Sequence, residues 1–175
     1  NGSTATEIGI KMALQYHFNR GVRRNVLIAF EEGFHGDTFG AMSVSGLSVY
    51  NGPFEELSLQ VKRIPVPTKE NMHELESLLG RLLQEHAVAG FIYEPLVQGA
   101  AGMKTHDAYG LNTILKMMKA NNVVTIADEV MTGFGKTGSY FASDHLIEKP
   151  DIICLSKALT AGLMPMAVTS CTTEV

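Results

Sequence analysis

Cysteine is scarce in this chain, and so are basic residues, long apolar runs and repeats. Two cysteines, Cys154 and Cys171, do not make a disulfide framework. Cys154 lies inside the apolar run Ile152 to Leu155 and reads as a small buried hydrophobe. No apolar run is long enough to span a bilayer, and no signal-peptide pattern is present, so the cytoplasm is the default expectation. Lys and Arg number 14 against 18 Asp and Glu, a net charge of −4. That balance argues against a nucleic-acid partner and against binding to an anionic membrane surface. What is present is an ordinary globular balance, 45% apolar and 18% charged, in 175 residues. One domain with a substantial core fits that size.

Short runs rich in Val and Ile, bounded by turn residues, predict strands near 26–30, 61–64, 88–93, 123–127 and 151–155. Helical spacing lies between them. Ala5, Ile8, Gly9, Met12, Ala13 and Tyr16 share one face, with Ser or Thr expected as the N-cap. The segment 71–85 carries Met72, Leu75, Leu79 and Leu82, and 107–121 carries Leu111, Ile114, Leu115 and Met118. Residues 45–60 read as a long loop, 99–102 as a flexible one, and 166–175 as the start of a further strand. This alternation predicts an α/β fold, a mainly parallel sheet with helices on both faces.

The chemistry gathers at two predicted strand ends. Asp128 follows the run 123–127, and Lys157 follows 152–155, 29 residues later. Open α/β sheets bind ligands at the carboxyl ends of their strands. A lysine amine condenses with an aldehyde cofactor, and a carboxylate beside a pyridine nitrogen keeps it protonated. Each residue also has a plainer reading: Asp128 and Glu129 as a solvated acid pair, Lys157 as a surface lysine at a helix start. Gly2 and Ser3 open a helix whose free N–H groups form an anion site, or simply a capped surface helix. Phe34 reads as core, and His35 as a satisfied loop histidine with no second ligand at metal spacing. Glu94 ends another apolar run and reads equally as a second acid of the site or as a turn cap. The segment 133–138 matches G-x-G-x-x-G and contains Gly-Lys-Thr, but no helix pattern follows it, which argues against dinucleotide or P-loop binding.

The segments Ala127-Asp128-Glu129-Val130, Thr132-Gly133-Phe134-Gly135, Pro150-Asp151-Ile152-Ile153 and Ser156-Lys157-Ala158-Leu159-Thr160 resemble the signature of the class III aminotransferases. His35 to Ser43 and Glu94 to Gly99 resemble the biotin-pathway branch of that family. The resemblance implies a fold-type I large domain, pyridoxal 5'-phosphate as cofactor and ping-pong amino transfer. The donor and acceptor would be small molecules, an amino donor (S-adenosylmethionine in that branch) and an oxo acid. It implies Lys157 and Asp128 as catalytic residues, Gly2 and Ser3 at the cofactor phosphate, and Phe34 stacked on its ring where the family usually has Tyr. Lys136 stands where Arg is common and is the candidate substrate-binding cation. Met131 stands where Gln is common. Ala100 and Ala101 supply no carboxylate of the kind ornithine- and aminobutyrate-type relatives carry, which points away from those substrates. The resemblance further implies a homodimer. It also implies that residues 1–175 are part of the cofactor-binding large domain without its flanking small-domain segments, and so inactive alone. Another class III ω-aminotransferase and a non-catalytic nucleotide-binding module are the alternatives.

Overall fold

Side chains alternate across a strand, and here the alternation decides which helix covers which face. The structure, a computed structural model, describes residues 1–46 and 51–175. Helix α1 (Gly2–Asn19) precedes β1 (Val26–Phe30), α2 (Phe39–Val44), β2 (Gln60–Ile64), α3 (Met72–Glu85) and β3 (Val88–Tyr93). Then come β4 (Val97–Gln98), β5 (Lys104–Thr105), α4 (Ala108–Ala120), β6 (Val124–Asp128), β7 (Ile152–Leu155) and β8 (Val168–Cys171). From β1, Val26, Ile28 and Phe30 join the core beneath α3 and α4, with Leu75, Leu79, Leu111, Ile114 and Met118. Leu27 and Ala29 join the opposite core, beneath Ala5, Ile10 and Ala13 of α1.

The main sheet has the order β2-β1-β3-β6-β7-β8. Its first five strands run parallel, and β8 closes one edge antiparallel to β7. The expected α/β architecture, a mainly parallel sheet with helices on both faces, is therefore the observed one. The chain steps from β1 to β2 on one side and returns to β3 on the other, so the strand order reverses beside β1. Ligand crevices form outside the carboxyl ends at such switch points.

Small residues let α1 approach the sheet closely. A Cβ placed on Gly9 would lie 3.1 Å from Cys154 Sγ, and one on Gly90 would lie 3.3 Å from the Ala13 Cβ. Cys154 is fully buried, as expected from its run.

Local details differ from the sequence reading. The N-cap of α1 is Asn1, whose Oδ1 accepts from Thr4 N at 3.1 Å, and not a Ser or Thr. Within the expected loop 45–60, Gly52–Leu57 form a 3-10 helix, while positions 47–50 lie outside the described residues. Helix α2 was not anticipated; its apolar residues are too few for a periodic signal. Residues 99–102 form the tight turn of the β4–β5 hairpin, with Met103 N donating to Gly99 O at 3.2 Å. Among the described residues, no helix is long and apolar enough to cross a membrane.

Candidate active site

Four parallel strands end on one cavity of about 740 Å³. Phe34, His35 and Gly36 reach it after β1, Glu94, Gly99 and Ala100 after β3, Asp128 and Val130 after β6, and Ser156 and Lys157 after β7. Gly2 and Ser3, the first turn of α1, complete one wall. Five of the six residues expected in a site thus meet in one place: Gly2, Ser3, Phe34, Asp128 and Lys157. The sixth, Lys136, is exposed on the loop after β6 and is not among the lining residues.

Asp128 is the last residue of β6 and 4% exposed. Its Oδ1 accepts from Val130 N at 3.0 Å, and its Oδ2 lies 2.7 Å from His35 Nδ1. A buried carboxylate needs such donors to remain charged. Next to it, Glu129 points the other way and is fully buried. It accepts from Thr132 Oγ1 at 2.7 Å, Ala142 N at 3.0 Å, Ser143 N at 2.7 Å and Ser143 Oγ at 2.7 Å. The solvated acid pair is thereby corrected: neither carboxylate is in water, because one faces the cavity wall and the other is sealed by the loop before β7.

Lys157 is exposed and adopts φ +42°, in the left-handed region. That conformation costs a non-glycine residue about 1–3 kcal/mol and persists only where the surroundings impose it. The preceding Ser156 is buried, its Oγ donating to Met166 O at 2.8 Å, which ties the turn to the segment entering β8. Lys157 is the first residue of a three-residue 3-10 helix, Lys157–Leu159, so the plainer reading of an exposed lysine at a helix start also holds, and the same residue lines the cavity.

The N–H groups of Gly2 and Ser3 have no partner within a helix, since the first turn never does. Val130 packs over Gly2, where a Cβ would meet Val130 Cγ1 at 2.9 Å. Gly36, at φ +125°, lies where any Cβ would strike the Ser3 side chain. Ser3 Oγ also accepts from Asp37 N at 3.1 Å, so the segment after β1 is stitched to the first turn of α1. Phe34 presents a half-exposed ring to the cavity. Its backbone N–H donates to Glu94 Oε2 at 3.1 Å, while Glu94 Oε1 accepts from Gly99 N at 3.0 Å. Glu94 thus ties two cavity walls, and through Gly99 N it also caps the turn that follows. Burial pushes its carboxyl above the usual range, against the pull of His35 and of those two N–H groups; Asp128 adds to the rise.

Sequence reasoning missed the part played by His35. Its partner lies 93 positions away in the chain, and no periodicity or spacing signals such a pair. It also missed the apolar wall made by Met103, Met164 and Met166.

The family model for class-III aminotransferases matches residues 1–175. An adenosylmethionine-8-amino-7-oxononanoate aminotransferase of Synechococcus elongatus is 43% identical over 98% of this chain and 42% of its own length. The crystal structure of the like-named enzyme of Methanocaldococcus jannaschii superposes with a TM-score of 0.89 at 40% identity, over 99% of this chain and 41% of that one. An amine transaminase from an uncultivated Pseudomonas species, described in its PLP-bound form, gives 0.87 at 30% identity over 100% of this chain and 43% of that one. The chain therefore spans about two fifths of the length of the relatives it matches. By fold and by whole-chain match, it belongs to the class III aminotransferases.

Proposed function

We propose that this chain forms the cofactor-binding core of an enzyme that transfers an amino group from S-adenosylmethionine to 8-amino-7-oxononanoate, in biotin synthesis. The relatives' names support the substrates. The observation that carries the chemistry is the meeting of Asp128 and Lys157, from adjacent strand ends, in a single cavity with the first turn of α1.

The residues fit pyridoxal 5'-phosphate. Lys157 would hold its aldehyde carbon, Asp128 its ring nitrogen, Phe34 a face of its ring, and Gly2 and Ser3 its phosphate. When bound, the cofactor supplies an electron sink. Asp128, anchored by two N–H donors, keeps a negative charge in a fixed place. Lys157 Nζ would be the base that takes the proton from the substrate Cα and delivers it to the carbon that carried the aldehyde, so that the amino group stays with the cofactor. Phe34 excludes water from one face and limits the orientations open to the substrate. The Met103, Met164 and Met166 wall accepts an unbranched aliphatic chain, since thioethers adapt to irregular apolar shapes. A homodimer and a cytoplasmic setting belong to the same reading, on the family resemblance.

Treating the protein with pyridoxal 5'-phosphate and borohydride, then mapping peptides, tests the assignment. The label is expected on Lys157. Label on Lys136 or another lysine overturns it.

A further inference from the structure

The nine methionines divide sharply between core and surface. Met42 and Met118 are buried, and Met12, Met72 and Met117 are partly buried against the two cores. Met131 lines the cavity but is partly covered, folded over Gly99, where a Cβ would lie 3.1 Å from Met131 Cε. The exposed ones are Met103, Met164 and Met166, at 61%, 55% and 49%, and all three line that same cavity. Their backbones are held. Met103 N donates to Gly99 O at 3.2 Å, Met164 O accepts from Thr160 Oγ1 at 2.8 Å, and Met166 O accepts from Ser156 Oγ at 2.8 Å. A core thioether is shielded from oxidants, and its oxidation would break the packing around it. An exposed thioether on a fixed backbone reacts, and its sulfoxide is hydrated where it stands, so the fold survives the change.

We infer that Met103, Met164 and Met166 form an oxidation site, at which peroxides turn the apolar wall of the cavity polar. In each event one peroxide oxygen bonds to the thioether sulfur, which gives up two electrons. The O–O bond breaks, and the other oxygen takes the proton of the transferred one and leaves as water. The product carries a strong hydrogen-bond acceptor where the thioether had a weak one. Water is held against the wall, and an aliphatic chain must displace it to bind. A ligand with such a chain therefore loses affinity while the sheet and its helices stay folded. Sulfoxide reductases undo the change, one enzyme per sulfoxide epimer, which makes the site a switch and not only a lesion. The affinity of the wall for aliphatic chains rests on the proposed function; the order in which the methionines react does not.

Methionines labelled with carbon-13 in the ε-methyl group, assigned through single Met→Leu variants, report each site separately by NMR. Under dilute hydrogen peroxide, the signals of Met103, Met164 and Met166 are expected to convert to the sulfoxide about tenfold or more faster than the rest, whose sulfurs wait on local opening. Sodium nonanoate, titrated in without cofactor, is expected to move the three wall methyls and to bind about tenfold more weakly after oxidation. The amide spectrum should remain that of the folded protein, and treatment with both reductases should restore the affinity. A variant carrying Met103→Leu, Met164→Leu and Met166→Leu should keep its own affinity through the peroxide treatment. Core methionines that convert as fast as the three overturn the site. Nonanoate that binds equally well before and after oxidation, or fails to bind the untreated protein, overturns the change of the wall. A fall in the triple variant places the effect on other residues and overturns it too. If the triple variant does not fold, recovery under the reductases decides. None of these results bears on which lysine borohydride labels, so the site and the proposed function fail separately.

Discussion

Asp128 and Glu129 are neighbours of the same charge type at the end of the same strand, yet they sit in two different regions of the molecule. Asp128 has two hydrogen bonds and a place on the cavity wall. Glu129 has four, all to the loop between β6 and β7, and no exposure. Alternation along the strand sends one to the site and the other into the scaffold. The scaffold acid organises the loop that returns the chain to β7, and so to Lys157. The acid on the cavity wall has fewer ties, which leaves it free for the role proposed for it. Number of internal partners, in this pair, distinguishes structure from chemistry.

The strongest way to break that comparison is to remove the scaffold acid. Glu129→Ala strands two backbone N–H groups and two hydroxyls, and should cost about 4 kcal/mol of stability. Urea unfolding reads this directly. A loss below 1 kcal/mol would show that the loop does not depend on Glu129.

Acid titration sharpens the comparison only after a third buried group is separated out. His106 is buried edge-on against Phe30, and neither of its ring nitrogens has a partner among the described residues. Burial lowers its pKa from 6.5 to about 4; Lys104 adds to this, and the Glu94 carbonyl opposes it without making a hydrogen bond. The folded state disfavours the charged ring, so the stability it contributes is present above pH 6.5 and is lost as pH falls towards about 4. The loss amounts to about 3 kcal/mol. His106→Phe should flatten the unfolding midpoint across this range without lowering it at neutral pH. A profile as steep as the wild type would assign the acid sensitivity elsewhere.

Asp128→Asn should give the opposite signature to Glu129→Ala. Removal of a charge-assisted bond is worth about 1.5–3 kcal/mol. In an enzyme that also carries the flanking segments, it should appear as a loss of turnover of about tenfold or more, with some cofactor retained and the unfolding midpoint little changed. Near-normal rates would remove Asp128 from the role given to it. The smallest effect belongs to Glu94→Gln. One acceptor becomes a donor facing a backbone N–H, so the tie between Phe34 and Gly99 weakens by about 1 kcal/mol. Faster hydrogen exchange at those two amides is the expected result, and unchanged exchange would count against the tie.

The elements carried by local pattern were legible in the sequence. Every expected strand and all three of the expected helices are present, because burial on one or two faces writes itself into spacing. Asp128 and Lys157 were legible because a strand end is where an apolar run stops. Glu129 was not, because its environment is made by residues 132, 142 and 143, and nothing in their order says that the loop folds back. His35 was unreadable for the same reason at longer range. Helix α2 escaped notice because its role is to hold neighbours through Ala41 and Ser45, not to present an apolar stripe.

The close seating of α1 has one more consequence, and it concerns reactivity. Cys154 Sγ donates to Ala5 O at 3.4 Å beneath that helix, while Cys171 is exposed at the sheet edge. Burial, with Asp128 adding to it, pushes the Cys154 thiol up, so it resists reagents for as long as the helix stays down. A thiol reagent should therefore react in two phases, Cys171 at once and Cys154 at the rate or equilibrium of helix lifting. The two cysteines form a paired gauge, one face always lit and one dark, that times how often α1 leaves its bed.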